Sequence, residues 1–189
     1  VGLTSLGQTL FGSPLKWVVM LAPLGLVFFL SARLHKMSYG TAQTTFWIYA
    51  ALMGISLATI FMAFTGASVA RVFFITAGTF AGMSLWAYTT KKDLSGWGSF
   101  LFMGLIGIII AMIVNIFIGS SALQFAISVI GVLVFVGLTA YDTQNIKNEY
   151  AEHYDEETQG KLAISGALRL YLDFINLFIM LLHLFGNRE

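Results

Sequence analysis

Gly137-Leu-Thr-Ala-Tyr-Asp-Thr-Gln-Asn-Ile and Leu170-Tyr-Leu-Asp-Phe-Ile-Asn-Leu-Phe each place one aspartate, Asp142 and Asp173, inside a strongly apolar stretch. An ionisable side chain at bilayer depth costs about 2.5 kcal/mol or more on insertion scales, so it is kept where it has a partner or a task. The residues on either side show that bilayer depth is the right frame. No charged residue occurs between Asp93 and Asp142. As one helix at ~1.5 Å per residue, that run would be about 72 Å long, over twice a hydrocarbon core of ~30 Å. It must turn back on itself, and Gly119-Ser120-Ser121 is the place for the turn.

Further charge-free runs cover 17–32, 37–70 and 72–90. The whole chain of 189 residues is 58% apolar and only 10% charged, with mean hydropathy +0.83. A soluble domain carries roughly 25% charged residues, so the composition predicts a polytopic membrane protein. Lipid excludes open sheet edges, and the apolar runs are too long and uniform for alternating barrel strands. The expected fold is therefore all-α: a single transmembrane domain over 1–189 with spans at about 15–32, 44–65, 69–90, 97–118, 121–145 and 162–185. Pro14 suits the start of the first span, and Pro23 should kink it. Thr65-Gly66-Ala67-Ser68 reads as a short turn, and Ala50/Gly54/Ala58 and Gly78/Gly82 as places where helix backbones approach closely.

A net charge of +1 and no basic cluster longer than Lys91-Lys92 exclude nucleic acid as a partner. The absence of cysteine removes disulfides, thiolate catalysis and thiolate metal sites, and the three histidines are isolated in sequence. Residues 1–15 lack the pattern of a secretory signal. The chain starts on Val1, so further residues are expected upstream. Lys and Arg concentrate in the loops at 33–43, 91–96 and 146–161, which the positive-inside rule assigns to the cytoplasm of a bacterial inner membrane protein.

On the sixth span Gly166, Arg169, Asp173, Asn176, Met180 and His183 recur every three or four residues and share one helical stripe. On the fifth, Gly131, Leu138, Asp142, Asn145 and Glu149 form a second stripe that becomes polar towards the cytoplasm. The polar loop from Lys147 to Lys161 joins the two helices as antiparallel neighbours, so the stripes can face each other. Two carboxylates brought together in low dielectric do not both ionise easily and titrate as a coupled pair. Such a pair suits a proton sensor. It also suits contact with a hard cation such as Ca²⁺, with Asn176, His183 and Glu149 as further groups along an ion path. The plainer alternatives are that Arg169 neutralises Asp173 four residues on, that Asp142 is a solvated helix end, that His183 is a satisfied buried histidine, and that Asp155-Glu156-Glu157 is a solvated loop face.

Taken together, Gly131-Val-Leu-Val-Phe-Val-Gly-Leu-Thr-Ala-Tyr-Asp-Thr-Gln and Ala167-Leu-Arg-Leu-Tyr-Leu-Asp-Phe-Ile-Asn-Leu-Phe resemble the signature of the Bax inhibitor family, in particular its bacterial branch. Phe46-Trp47, Lys92-Asp93-Leu94-Ser95 and Asn115-Ile-Phe-Ile-Gly-Ser-Ser match in order along the chain. The resemblance implies a seven-helix fold whose last helix is wrapped by the other six, with the first helix absent from this sequence. It also implies a pH-sensitive Ca²⁺ leak in which Asp142 and Asp173 form the pH-sensing dyad and an arginine, aligned best with Arg33, latches it. No tightly bound cofactor is expected, with Ca²⁺ the permeant ion and protons the regulator. A regulatory protein that binds a membrane protease or cell-death and stress machinery is the alternative. Enzymatic activity is not expected, because neither a rhomboid-type Gly-x-Ser-Gly nor the paired motifs of intramembrane aspartyl proteases are present.

Overall fold

The computed structural model of the protein describes residues 36–58, 60–150 and 154–187, together with Ser5, Phe29 and Arg33. The expected first span at 15–32 lies almost wholly outside the described residues. Among the described residues the regular elements are all helices: α1 (Tyr39–Leu57), the single turn α2 (Ile60–Ala63), α3 (Gly66–Thr89), α4 (Trp97–Ile118), α5 (Ser121–Glu149) and α6 (Glu156–Phe185). Four of them, α3 to α6, are long and apolar enough to cross a membrane. Of the six spans read from hydropathy, the last four are α3 to α6, and the second is occupied by the less apolar α1 together with α2.

The helix limits follow from caps more than from hydropathy. α4 runs as its sequence predicts and ends where Gly119 takes φ 66°, its N–H bonding to Asn115 O at 2.8 Å. Asn115 Oδ1 then accepts from Ser120 N at 2.9 Å, and Ser120 Oγ caps α5 by accepting from Leu123 N at 3.2 Å. The fold-back expected at Gly119-Ser120-Ser121 is this compact double cap. A Cβ at Gly119 would meet nothing within 4 Å, so its requirement is purely of the backbone. Gly119→Ala is therefore expected to destabilise the protein by about 1–2 kcal/mol, the cost of a left-handed non-glycine residue. Thermal unfolding of the variant in detergent checks this.

Elsewhere the polar flanks turn out to be helical. α1 begins at Tyr39, five residues before the expected start, because Ser38 Oγ accepts from Thr41 N at 3.2 Å. α1 and α2 stand where one continuous span to Thr65 is expected, and Gly66-Ala67-Ser68 is already helix rather than turn. α5 continues to Glu149, and α6 starts at Glu156 instead of Leu162, so most of the expected 146–161 loop is helix. The start of α6 is set by Asp155, whose Oδ1 accepts from Thr158 N at 2.7 Å, with Glu156 and Glu157 in the first turn where the helix dipole favours negative charge. The acidic run is a helix start, not a loop face.

These bonds to Thr158 hold the Asp155 carboxyl below its ordinary value of 3.8. A lowered folded value means that the cap contributes fully above that ordinary value and fades as pH falls through the lowered one. The protection of the Thr158 and Gln159 amides from hydrogen exchange, relative to their intrinsic rates at each pH, is expected to be high at neutral pH and lower near pH 3. In Asp155→Ala it should be low at both.

The chain divides into two units, residues 1–65 with 152–165 and 188–189, and residues 66–151 with 166–187. In the first, the Tyr39 ring of α1 occupies the space that a side chain at Gly160 of α6 would need. The second unit is organised around α5. Gly98 and Gly104 of α4 face Tyr141 and Val134, and Leu101 fills the space at Gly137. On α3, Ala87 packs with Ala140 and with Leu94 of the α3–α4 loop in a fully buried cluster. Among the described residues a Cβ at Gly54, Gly78 or Gly82 would meet nothing within 4 Å, so the close approaches expected there are not found among them. Hydroxyls within the spans bond back to their own helix, as Thr76 does to Val72 O at 2.7 Å and Thr139 to Phe135 O at 2.7 Å. The outer face of α4 is apolar and open, with Phe117 85% exposed, as suits contact with lipid.

Candidate functional site

The two aspartate stripes do face each other, in the second unit. Working along the antiparallel pair from the turn end of α5, Met180 of α6 packs in the space at Gly131. Asp142 and Asp173 then lie with their side chains within hydrogen-bonding reach of one another. Next Ile146 packs against Gly166, and last Glu149 Oε2 accepts from Arg169 Nη2 at 2.7 Å. Gly131 and Gly166 bracket the carboxyls, and their missing side chains let the helices close up around them.

The pair is well sealed. Asp142 is 8% exposed and Asp173 5%. From the other side, Phe174 stacks edge to face on Phe73 at 5.6 Å and Phe80 at 5.4 Å, so aromatic rings of α3 abut the residue next to Asp173. The end of α6 is tied down where Asn187 N donates to Ser68 Oγ at 2.7 Å. Within this enclosure Asp173 Oδ2 is buried with no hydrogen-bond partner. An unsatisfied buried acceptor costs about 1–3 kcal/mol, more where charge is involved, and marks a position that a proton or cation would relieve.

Arg169 has a different partner from the one the helix spacing suggests. Its ion pair is with Glu149 across the helix interface, not with Asp173 four residues on, and its Nε is buried without a partner. The reason is register: Glu149 ends α5 directly opposite Arg169, and its carboxylate satisfies the guanidinium with a short, charge-assisted bond. Asp142 is likewise a buried mid-helix residue rather than a solvated helix end. Asn176 donates to Leu172 O at 2.8 Å and is half-buried on the same helix. His183 is exposed rather than buried, with its ring Nδ1 2.8 Å from Ile179 O. By that point the stripe has rotated off the α5 side, since steps of three and four only approximate the 3.6-residue turn. Arg33 belongs to the first unit and is exposed, and its carbonyl accepts from Met37 N at 3.1 Å.

For Ca²⁺ the donor set is thin. The cation prefers six to eight oxygens, whereas among the described residues no three acidic or histidine side chains gather as a metal site. Two carboxyls with one unpartnered oxygen fit a cation in passage better than one held in residence.

One residue of this region went unnoticed in the sequence. Gln144, 8% exposed, reaches into the α3–α4 loop, where its Oε1 accepts from Leu94 N at 2.7 Å and its Nε2 donates to Lys92 O at 2.8 Å. This fork explains the Lys92-Asp93-Leu94-Ser95 motif: Leu94 is the fully buried plug, and Asp93 Oδ1 turns the chain by accepting from Ser95 N at 3.0 Å. Bonding to Ser95 keeps the Asp93 carboxyl below its ordinary value. The sequence signals for Gln144 are its place at the end of the stretch from Gly131 that carries the family resemblance and a polar side chain two positions from Asp142 in an apolar segment.

Comparison with known proteins bears on the whole chain. The sequence profile of a family described as "Inhibitor of apoptosis-promoting Bax1" matches residues 1–189. The inner membrane protein YbhL of Escherichia coli K12 is 54% identical over 173 residues, which span 90% of this chain and 74% of that protein. An uncharacterized protein of Rickettsia prowazekii is 49% identical over 182 residues, 96% of this chain and 75% of its own length. Another from Caulobacter vibrioides is 50% identical over 179 residues, 94% and 72% respectively.

Proposed function

The chain belongs to the Bax inhibitor family, and on that premise we propose that it is a pH-sensitive Ca²⁺ leak gated by the Asp142–Asp173 dyad. It is an integral membrane protein of the bacterial inner membrane, by its four long apolar helices and its relatives. The observation that carries the proposal is the meeting of two carboxyl groups, each more than nine-tenths buried, between antiparallel helices.

With one proton between them, the two carboxyls satisfy each other as donor and acceptor. Without it, two like charges face each other in low dielectric, and separation of the helices or entry of a cation is the available relief. Protons and Ca²⁺ are thus competitors for the same oxygens. Arg169 and Glu149 are the charged groups next along the helix pair, and their ion pair holds the polar ends of α5 and α6 together as the dyad changes state. Asn176 and His183 extend the α6 side of the path. The spans in this proposal belong to a seven-helix bundle that encloses the last helix. No covalent chemistry and no tightly held cofactor are involved.

The test is Ca²⁺ entry into proteoliposomes across about pH 5 to 8, beside empty liposomes. A pH-dependent flux above the empty control supports the leak. No flux above the empty control at any pH would turn the assignment to regulation of a membrane protease or stress machinery.

A further inference from the structure

A ledge of lysine and aromatic side chains lies outside the dyad, where α3 ends, α4 begins and α5 ends. Lys147 Nζ donates to Tyr88 O at 2.6 Å and sits 4.9 Å from the centre of the Tyr88 ring. Lys92 Nζ lies 5.6 Å from the centre of Trp97, which stacks on Trp86 at 6.2 Å and 26°. Lys91 precedes Lys92 on the same exposed turn. The Gln144 fork grips that turn at the Lys92 and Leu94 backbone one helical turn before Lys147, so lysines distant in sequence are brought to one place.

Three features separate this ledge from ordinary loop lysines. Two of the ammonium groups are held against aromatic rings and a carbonyl rather than swinging free on their stems, so their charges are preorganised. No carboxylate neutralises them: among the described residues the salt bridges are Lys161–Glu157 and Arg169–Glu149, and Asp93 is turned to Ser95. Finally, the rings are of the kind that sits at the headgroup level, and large apolar side chains follow one turn deeper, Leu85 66% and Phe100 77% exposed. A soluble anion has no use for those apolar neighbours, whereas acyl chains would lie along them.

We propose that Lys91, Lys92 and Lys147, set on the Trp86, Tyr88 and Trp97 rings, bind the phosphate headgroup of an anionic glycerophospholipid. The lipid clamps the α3–α4 loop to the end of α5. Basic pockets between span ends bind such headgroups, and each lysine near an anionic surface contributes roughly a five-fold preference over a zwitterionic lipid.

The full chain in nanodiscs of equimolar phosphatidylglycerol and phosphatidylcholine, released into native mass spectrometry, tests this. Wild type should retain phosphatidylglycerol preferentially, and Lys92→Gln/Lys147→Gln should lose about 25-fold of that preference. Lys36→Gln/Lys161→Gln, with the same change in net charge and every ledge residue intact, should keep it. A second measurement needs no variant: acetylation of Lys92 and Lys147 in wild type should be slower in phosphatidylglycerol nanodiscs than in phosphatidylcholine ones. Equal lipid retention by the two double variants would overturn the site. So would unprotected lysines, and so would equal protection by inorganic phosphate in phosphatidylcholine nanodiscs, which would make it a soluble-anion site.

Discussion

Asp173→Asn is expected to give a Ca²⁺ flux that no longer varies with pH, where wild type changes by on the order of ten-fold across its titration. The substitution keeps the side-chain volume and a hydrogen-bonding group opposite Asp142, so the packing of Met180 on Gly131 and of Phe174 on Phe73 and Phe80 should persist. What disappears is the exchangeable proton and the unpartnered Oδ2 that it or a cation would satisfy. Asp142→Asn should flatten the response in the same way, because it removes the carboxyl that faces Asp173. The double variant should add little to either single one. A pH slope that survives in both single variants would remove the dyad from gating and leave it a buried polar contact between two helices.

Gln144→Leu is expected to be the most destabilising conservative change in the second unit. The leucine fits the volume but leaves the buried Leu94 N–H without a partner, at about 1–3 kcal/mol, and removes the bond to the half-buried Lys92 C=O. Gln144→Glu still accepts from Leu94 N, but when ionised it sets a carboxylate oxygen against Lys92 O, a contact that protonation converts back into a donated bond. Thermal unfolding at neutral pH should place both variants below wild type, and only Gln144→Glu should recover as the pH is lowered. Proteolysis within 90–96 should rise in both variants, because the fork anchors the loop that Leu94 plugs. Equal stability of wild type and Gln144→Leu would mean that the loop is held by Leu94 burial alone.

Some of this site is legible in residue spacing. Asp142 and Asp173 are conspicuous because hydropathy penalises them, and their placement on helical stripes predicts that they meet, as they do. The turn at Gly119 is equally plain, being forced by a charge-free run far longer than a bilayer. The departures share a cause as well. Arg169 with Asp173 is a good pair at four residues' spacing within a helix, yet the guanidinium chose Glu149, which is close only through the register of α5 on α6. Polarity at 39–43 and 156–161 reads as loop, but Ser38 and Asp155 cap helices there, and a capped polar helix end is as stable as an apolar one.

Charge spacing and hydropathy by themselves determined that this chain lives in a membrane as helices, where it folds back, and which two carboxyls are out of place. They could do so because the cost of charge in lipid is large and acts on each residue separately. Only the tertiary structure decided that Asp173 keeps an unpartnered oxygen, that Arg169 serves Glu149, that Gln144 holds the α3–α4 loop and that His183 faces outward. Those outcomes depend on which residues the register of neighbouring helices places opposite one another. Competing pairings there differ by about a kilocalorie per mole, too little for spacing along one chain to choose among them.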